Sequence, residues 1–340
     1  MSADVRGIVP TGAIRYNTDS NKMECFNGTK WMQIAVSSPD LSAGYTEPGT
    51  RGVFAGSGPS PATTMDWITI STLGDATDFA NNDTSINYSR QGSSRTRGFI
   101  GNDVNGSAAV STYIFATQSD STAFGDLTQS CQSGCFVSNA TRLCSFEGTV
   151  PSTNVISYVT MATTGTFKDF GDMSEAVRHI DGFGSPTRGV VPGGWKANPG
   201  DNWTGIQYIT IPTTGNAVDF GEISFERGGM RGYAASSNSI RGLWGGGAGG
   251  NSGGVQNQIE WVNIASKGNG NAFGDLTYSS RQEGGGCASA TRAIFAGGYV
   301  SPASDVINYV NFASQGDAAD FGDLSVARAC GGASNGHGGL

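Results

Sequence analysis

Acidic residues recur in one sequence context, segments reading "DFGDL" or a near variant of it. They are Asp78, Asp126, Asp169, Asp172, Asp219, Glu222, Asp275, Asp320 and Asp323. Paired carboxylates perform acid–base chemistry on glycosides, one protonating the leaving oxygen while the other attacks or activates water. A catalytic pair need exist only once in a chain, whereas these acids return at equivalent places, the distribution expected of turn and strand-end capping groups. Arginine repeats in step with them, at Arg51, Arg97, Arg142, Arg188, Arg241 and Arg292. One arginine beside one acid per repeat predicts hydrogen bonds between neighbouring structural units. His179 and His337 are the only histidines, too few to build a histidine metal centre. No nucleophile–base constellation stands out. The segment "GGGAGGNSGG" at 245–254 lacks the lysine of a phosphate loop. The expectation is a chain without catalytic residues, metal or cofactor, and not an enzyme.

Recognition is expected instead where the repeats differ from one another. The most distinctive variable segment spans 193–205 and holds Trp195, Lys196, Asn198, Asp201, Asn202 and Trp203. Tryptophan faces flanked by amides and an acid suit sugar binding through apolar stacking and hydrogen bonds. The competing reading has both tryptophans packing against the next unit or against another protein.

Composition narrows the fold class. The 340 residues include 53 glycines, with 37% hydrophobic and only 14% charged residues. This is too apolar and aromatic for a disordered chain, and the glycines lack the three-residue period of collagen. The net charge of −8 argues against nucleic acid, whose phosphates require a basic patch. No apolar run is long enough for a transmembrane helix, and "MSADVRGIVP" does not have the form of a secretory signal. Six cysteines without paired CxxC spacing read as buried free thiols.

The elements that must position these residues come in four blocks. The arginine-led block ("TRGVFAGS", "TRAIFAGG") is followed by an aromatic block ("MDWITIST", "INYVNFAS") and then by the acidic block ("DATDFANN", "DAADFGDL"). A small, glycine-rich block ("RQEGGGCAS", "RACGGASNG") precedes the next arginine or ends the chain. The arginines are spaced by 46, 45, 46, 53 and 51 residues. Each block has strand length, is rich in β-branched and aromatic residues, and is bounded by turn formers. Four strands at a period near fifty residues predict a propeller blade.

In this order of blocks the repeat, across about 50–340, resembles the kelch family of β-propellers. The resemblance implies an all-β, six-bladed kelch-like β-propeller with four-stranded blades over 50–340. The outer strand departs from the family pattern, carrying "DFGDL" where kelch repeats usually carry tryptophan. The last block, "RACGGASNG", is expected to close the ring by completing the first blade; residues 40–49 compete for that place.

Residues 1–49 lie outside the repeat and are expected to form a small N-terminal β-hairpin module. About thirty residues cannot enclose a core, so their apolar side chains must pack on something else. Gly12, Arg15, Tyr16, Asn17, Thr18, Glu24, Phe26, Asn27, Gly28 and Trp31 follow an order that resembles a short module of bacteriophage tail-fibre and other virion proteins. The resemblance implies a virion component that is assembled in the host cytoplasm. It would attach or trimerise through this module, at Arg15, Tyr16, Met23, Phe26, Trp31 and Ile34. The function so implied is a tail-fibre or appendage protein whose propeller binds a host-surface glycan. The alternative is a head-decoration, collar or baseplate protein whose propeller contacts other virion proteins. Neither reading calls for nucleic acid or membrane insertion.

Overall fold

The computed structural model describes all residues except 1–8, 19–21, 34–50, 59, 61, 88, 103–105, 149–152, 197–202, 225–232, 250–253, 281–283 and 300. The chain divides into two compact units, Met1–Thr46 and Glu47–Leu340.

The first unit contains a three-stranded antiparallel meander, Ile14–Asn17, Lys22–Phe26 and Trp31–Gln33. Its second turn is set by Asn27, whose Oδ1 accepts the amides of Thr29 and Lys30 at 3.0 and 2.9 Å, with Gly28 at φ 92°.

In the second unit the four predicted blocks become four antiparallel strands, six times over. The first sheet takes Ala329–Ser334 from the end of the chain and orders it with Arg51–Gly58, Ala62–Thr69 and Thr77–Ile86. The second sheet is Arg90–Ser93, Arg97–Gly101, Ala109–Ile114 and Thr122–Asp126. The third is Cys135–Ser138, Arg142–Phe146, Val155–Thr160 and Lys168–Asp172. The fourth is Phe183–Gly184, Arg188–Pro192, Gly205–Thr210 and Val218–Glu222. The fifth is Ala234–Ser237, Arg241–Gly245, Gly254–Asn263 and Asn271–Ser280, with the short Ala248–Gly249 added. The sixth is Gly285–Ala288, Arg292–Ala296, Val306–Asn311 and Ala319–Asp323. A separate two-stranded sheet pairs Val177–Arg178 with Trp195–Lys196.

The described strands thus form eight separate small antiparallel sheets, none closed or curled on itself, and no kelch signature is detected. This corrects the expectation of a six-bladed kelch-like β-propeller: the chain is an all-β array of small sheets. The physical reason lies in the outer strands. Each pairs only with the third strand of its own sheet, across a bulge in or near the "FGD" segment such as those between Ile156 and Ser157 or Ile307 and Asn308. Its other edge forms no ladder, and neighbouring sheets meet through side chains and a few backbone bonds such as Gly74 N–H to Phe321 O. A local strand pattern does not by itself carry a family architecture.

The contacts between sheets explain the recurrent residues. The Nη1 of each repeated arginine donates to a carbonyl of the next sheet: Arg97 to Met161 at 3.0 Å, Arg142 to Ile211 at 2.9 Å and Arg188 to Ile264 at 2.8 Å. Arg51 donates to Phe115, Arg241 to Phe312, and Arg292 of the sixth sheet to Ile70 of the first at 3.0 Å. Most of these guanidinium groups also lie over an aromatic ring of their own sheet, such as Trp67, Tyr158, Tyr208, Trp261 or Tyr309. Each apolar core cluster joins residues of adjacent sheets, as where Phe54, Ile68, Ile294 and Phe321 pack together.

Candidate functional site

The first strands of all six sheets line one common narrow cavity, with Ser93, Ser138, Gly184, Ser237, Ala288 and Ser334 at equivalent places on its wall. These strands are built of small residues because they crowd together. A Cβ on Gly286 would come within 1.8 Å of the Ala235 carbonyl, and one on Gly332 within 2.6 Å of the Gly286 carbonyl. Serine hydroxyls stitch the seams. Ser93 donates to the Ser334 carbonyl at 2.7 Å, Ser138 to Ser93 at 2.9 Å, and Ser237 to Gly184 at 2.8 Å. Where Ala288 supplies no hydroxyl, Ser236 bonds the Cys287 carbonyl at 2.7 Å across the same seam. The wall therefore presents few uncommitted donors.

The imidazole of His337, three residues beyond the last strand, also lines this cavity. Its Nε2 donates to the Ser93 carbonyl at 3.0 Å, while Nδ1 accepts the Gly339 amide at 3.1 Å. This network assigns the neutral Nε2–H tautomer. Burial lowers the pKa from 6.5 to about 4; the Ser93 carbonyl opposes that shift and Arg95 adds to it. A second proton would have to take the Nδ1 lone pair that now holds Gly339. Since the folded value lies below the unfolded one, stability should be lost as the pH falls from about 6.5 to about 4. The loss should reach at most about 3 kcal/mol. His337→Gln should flatten that part of the profile, read as the wild-type-minus-variant difference in urea unfolding at pH 7 and pH 4.5.

The segment selected for sugar recognition is only partly described. Asn198, Asp201 and Asn202 lie outside the described residues. Trp195, Lys196 and Trp203 are half-buried and engaged with the protein. Arg178 lies over the Trp195 ring at 4.2 Å, and Lys196 Nζ pairs with Glu175 Oε2 at 3.0 Å. Trp203 packs on the third-to-fourth-sheet core, with its amide donating to the Gly194 carbonyl at 2.8 Å. The structure does not join these three residues into an open aromatic platform.

The nine recurrent acids are all exposed on or beside outer strands and do not converge. Capping is done by the neighbouring sheet's turn: Asp75 accepts the Asp323 amide at 3.1 Å, Asn216 that of Asp172 at 3.0 Å, and Asp317 that of Asp275 at 3.0 Å. One recurrent set of buried polar residues, at an equivalent position in every sheet, was missed by sequence reasoning. They stand one to a sheet on the third strand: Asp66, Ser111, Ser157, Gln207, Glu260 and Asn308. Four of them accept from the serine or threonine that follows "FGD" or "FGE" and one apolar residue in the preceding sheet. Gln207 takes Ser174, Glu260 takes Ser224, Asn308 takes Thr277, and Asp66 takes Ser325. The signal available was a polar residue at one fixed position inside each aromatic block. At the third sheet the role passes to Glu147, fully buried and holding the hydroxyls of Thr128 and Ser157. Burial raises its pKa against those bonds.

All six cysteines are free, and all but the half-buried Cys25 are buried. Burial pushes the thiols of Cys144 and Cys330 up to about 12 and about 11. Such groups are poor nucleophiles at neutral pH. Among the described residues, no group of three or more His, Cys, Asp or Glu side chains is placed to hold a metal ion.

In the N-terminal sheet, strand alternation separates the residues singled out for attachment. Tyr16 and Met23 share one face with Ile14, Cys25 and Met32, in the registers Ile14↔Cys25↔Met32 and Tyr16↔Met23. Four of these five are exposed: Ile14, Tyr16, Met23 and Met32. The opposite face carries Arg15, Phe26 and Trp31, which hold one another. Arg15 lies 4.2 Å from the Trp31 ring centre, Phe26 and Trp31 are 5.4 Å apart, and Arg15 pairs with Glu24 at 2.8 Å. Hydrogen bonds from Asn17 and then Arg15 lower the Glu24 pKa. Ile34 lies outside the described residues.

No known family model matches this chain, and no curated protein matches it. The resemblances to kelch repeats and to a bacteriophage tail-fibre module therefore find no counterpart, and both are withdrawn.

Proposed function

We propose that this protein is a non-catalytic structural component of a larger protein assembly. In this reading the N-terminal sheet self-associates, as a homotrimer, and the six-sheet unit is displayed as a rigid contact head. The observation that carries the reading is the apolar face of Ile14, Tyr16, Met23, Cys25 and Met32, which a three-stranded sheet cannot cover by itself. The occupant we assign to it is the same face of further copies of this chain. Support for a non-catalytic head comes from the repeated arginines, serines and buried acids, which are hydrogen-bonded into seams.

Two partners suit the head: a cell-surface glycan or neighbouring proteins of the assembly. The engagement of Trp195 by Arg178 and of Trp203 by the core favours the protein partner. Sedimentation of the full chain should give a trimer. Tyr16→Glu with Met23→Glu should give a monomer whose six-sheet unit melts unchanged. A wild-type monomer at tens of micromolar would sink self-association. Binding of the wild type to a cell-surface glycan, lost in Trp195→Ala, would turn the assignment of the head back to adhesion.

A further inference from the structure

We propose that a second cavity, beside Arg90, binds a small monovalent carboxylate. The cavity is small, with room for a few solvent-sized atoms, and is lined by Arg90, Ser133, His179, Asp181, Tyr233 and Gly331, among others. Arg90 opens the first strand of the second sheet and is 5% exposed. Its cross-strand partner is Gly101, where a Cβ would approach the Arg90 Nε to 2.3 Å, so glycine there makes room for the side chain. The guanidinium carbon lies 5.4 Å from the Phe136 ring centre.

What sets Arg90 apart is that Nε, Nη1 and Nη2 all lack a hydrogen-bond partner among the described residues. Each of the six repeated arginines donates to a carbonyl, and Arg328 is paired with Asp66. The acids nearest Arg90 are committed elsewhere. Asp181 accepts the amides of Gly182 at 2.8 Å and Ala235 at 2.7 Å. Glu147 is held by Thr128 and Ser157. Other polar groups of the cavity are also paired, Tyr233 with the Asp181 carbonyl and Gln91 with the Gly331 carbonyl. A buried guanidinium without a contact acceptor is costly, and an anion at its fork removes that cost. A single cation with Asp181 and Glu147 within electrostatic reach favours one negative charge over two. The planar fork matches a carboxylate in two parallel hydrogen bonds. The site belongs to the six-sheet unit alone and is independent of the proposed function.

The test is thermal unfolding of the full chain in chloride-free sodium HEPES against sodium acetate at the same ionic strength. The wild-type midpoint should rise steadily with acetate, as expected for a ligand that binds only the folded state. Arg90→Gln should show no rise and Arg90→Lys a smaller one. Glucuronate in place of acetate separates the sources: a rise marks a site for the carboxylate of a larger ligand, and no rise marks one for a free small ion. A flat wild-type response to both, or a rise that persists in Arg90→Gln, overturns the proposal. Should Arg90→Gln fail to fold, saturation transfer from aromatic protons of the wild type to the acetate methyl decides, and its absence is equally fatal.

Discussion

Removing residues 329–340 is expected to abolish cooperative unfolding of the second unit and leave a collapsed, aggregation-prone chain. Ala329–Ser334 supplies the first strand of the first sheet, pairing Gly332 with Phe54 and Ala333 with Val53. Without it the edge of Arg51–Gly58 is unpaired, and a core that includes Phe54 and Ile294 loses Cys330. The same strand accepts from the second sheet, through Gln91 to Gly331 at 2.6 Å and Ser93 to Ser334 at 2.7 Å. It also holds the sixth sheet, where Ser334 Oγ accepts the Ala288 amide at 3.1 Å. One deletion therefore opens contacts to three sheets. Their combined loss should exceed the about 5–15 kcal/mol of net stability typical of a folded protein. Circular dichroism melts and size-exclusion chromatography read the result, and a peptide spanning 324–340 should restore part of the transition. A truncated chain that still melts sharply would mean that the last strand is an accessory.

Asp66→Asn should destabilise the protein by about 3–5 kcal/mol, because it leaves a buried guanidinium uncompensated. Arg328 Nη1 lies 2.9 Å from Asp66 Oδ2, with side-chain exposures of 1% and 0%. Ser325 donates to the same carboxylate through its amide at 3.0 Å and its hydroxyl at 2.7 Å. Equivalent seams work without charge: Asn308 holds Thr277 through amide and hydroxyl at 2.8 and 2.9 Å, and Gln207 holds Ser174 likewise. Asp66→Asn combined with Arg328→Met recreates that neutral arrangement at the junction of sixth and first sheets. The double variant should therefore recover most of the loss, and the cycle should give a coupling of about 2–3 kcal/mol. Urea unfolding of the four proteins measures it. Additive losses would show that the two side chains act separately.

Much of the local structure was legible in the residues. Strand positions followed from β-branched and aromatic blocks bounded by glycine, serine and aspartate. The arginine period pointed to bonds between units, and the structure supplies a carbonyl for each. Candidate-site residues were less legible. The Trp195–Trp203 segment looked like an open sugar platform because sequence gives residue types but not what lies against them. Arg178 and Glu175, which engage Trp195 and Lys196, come from a separate short strand and the turn before it. The attachment residues were drawn from both faces of the N-terminal sheet because strand register had not been fixed, and a one-residue step reverses a side chain's face.

The sequence alone determined an all-β chain of repeated four-strand units, because alternation and turn chemistry act over a few residues. It did not determine how those units join: the propeller expectation went beyond what the pattern contains. Tertiary structure decided that the sheets stay separate, because each outer strand pairs only with the third strand of its own sheet and leaves its other edge without a ladder. It also decided which acids are buried and which are exposed. And it left one buried arginine, Arg90, without a hydrogen-bond partner among the described residues, since the side chains facing it come from a different sheet whose approach no local pattern encodes.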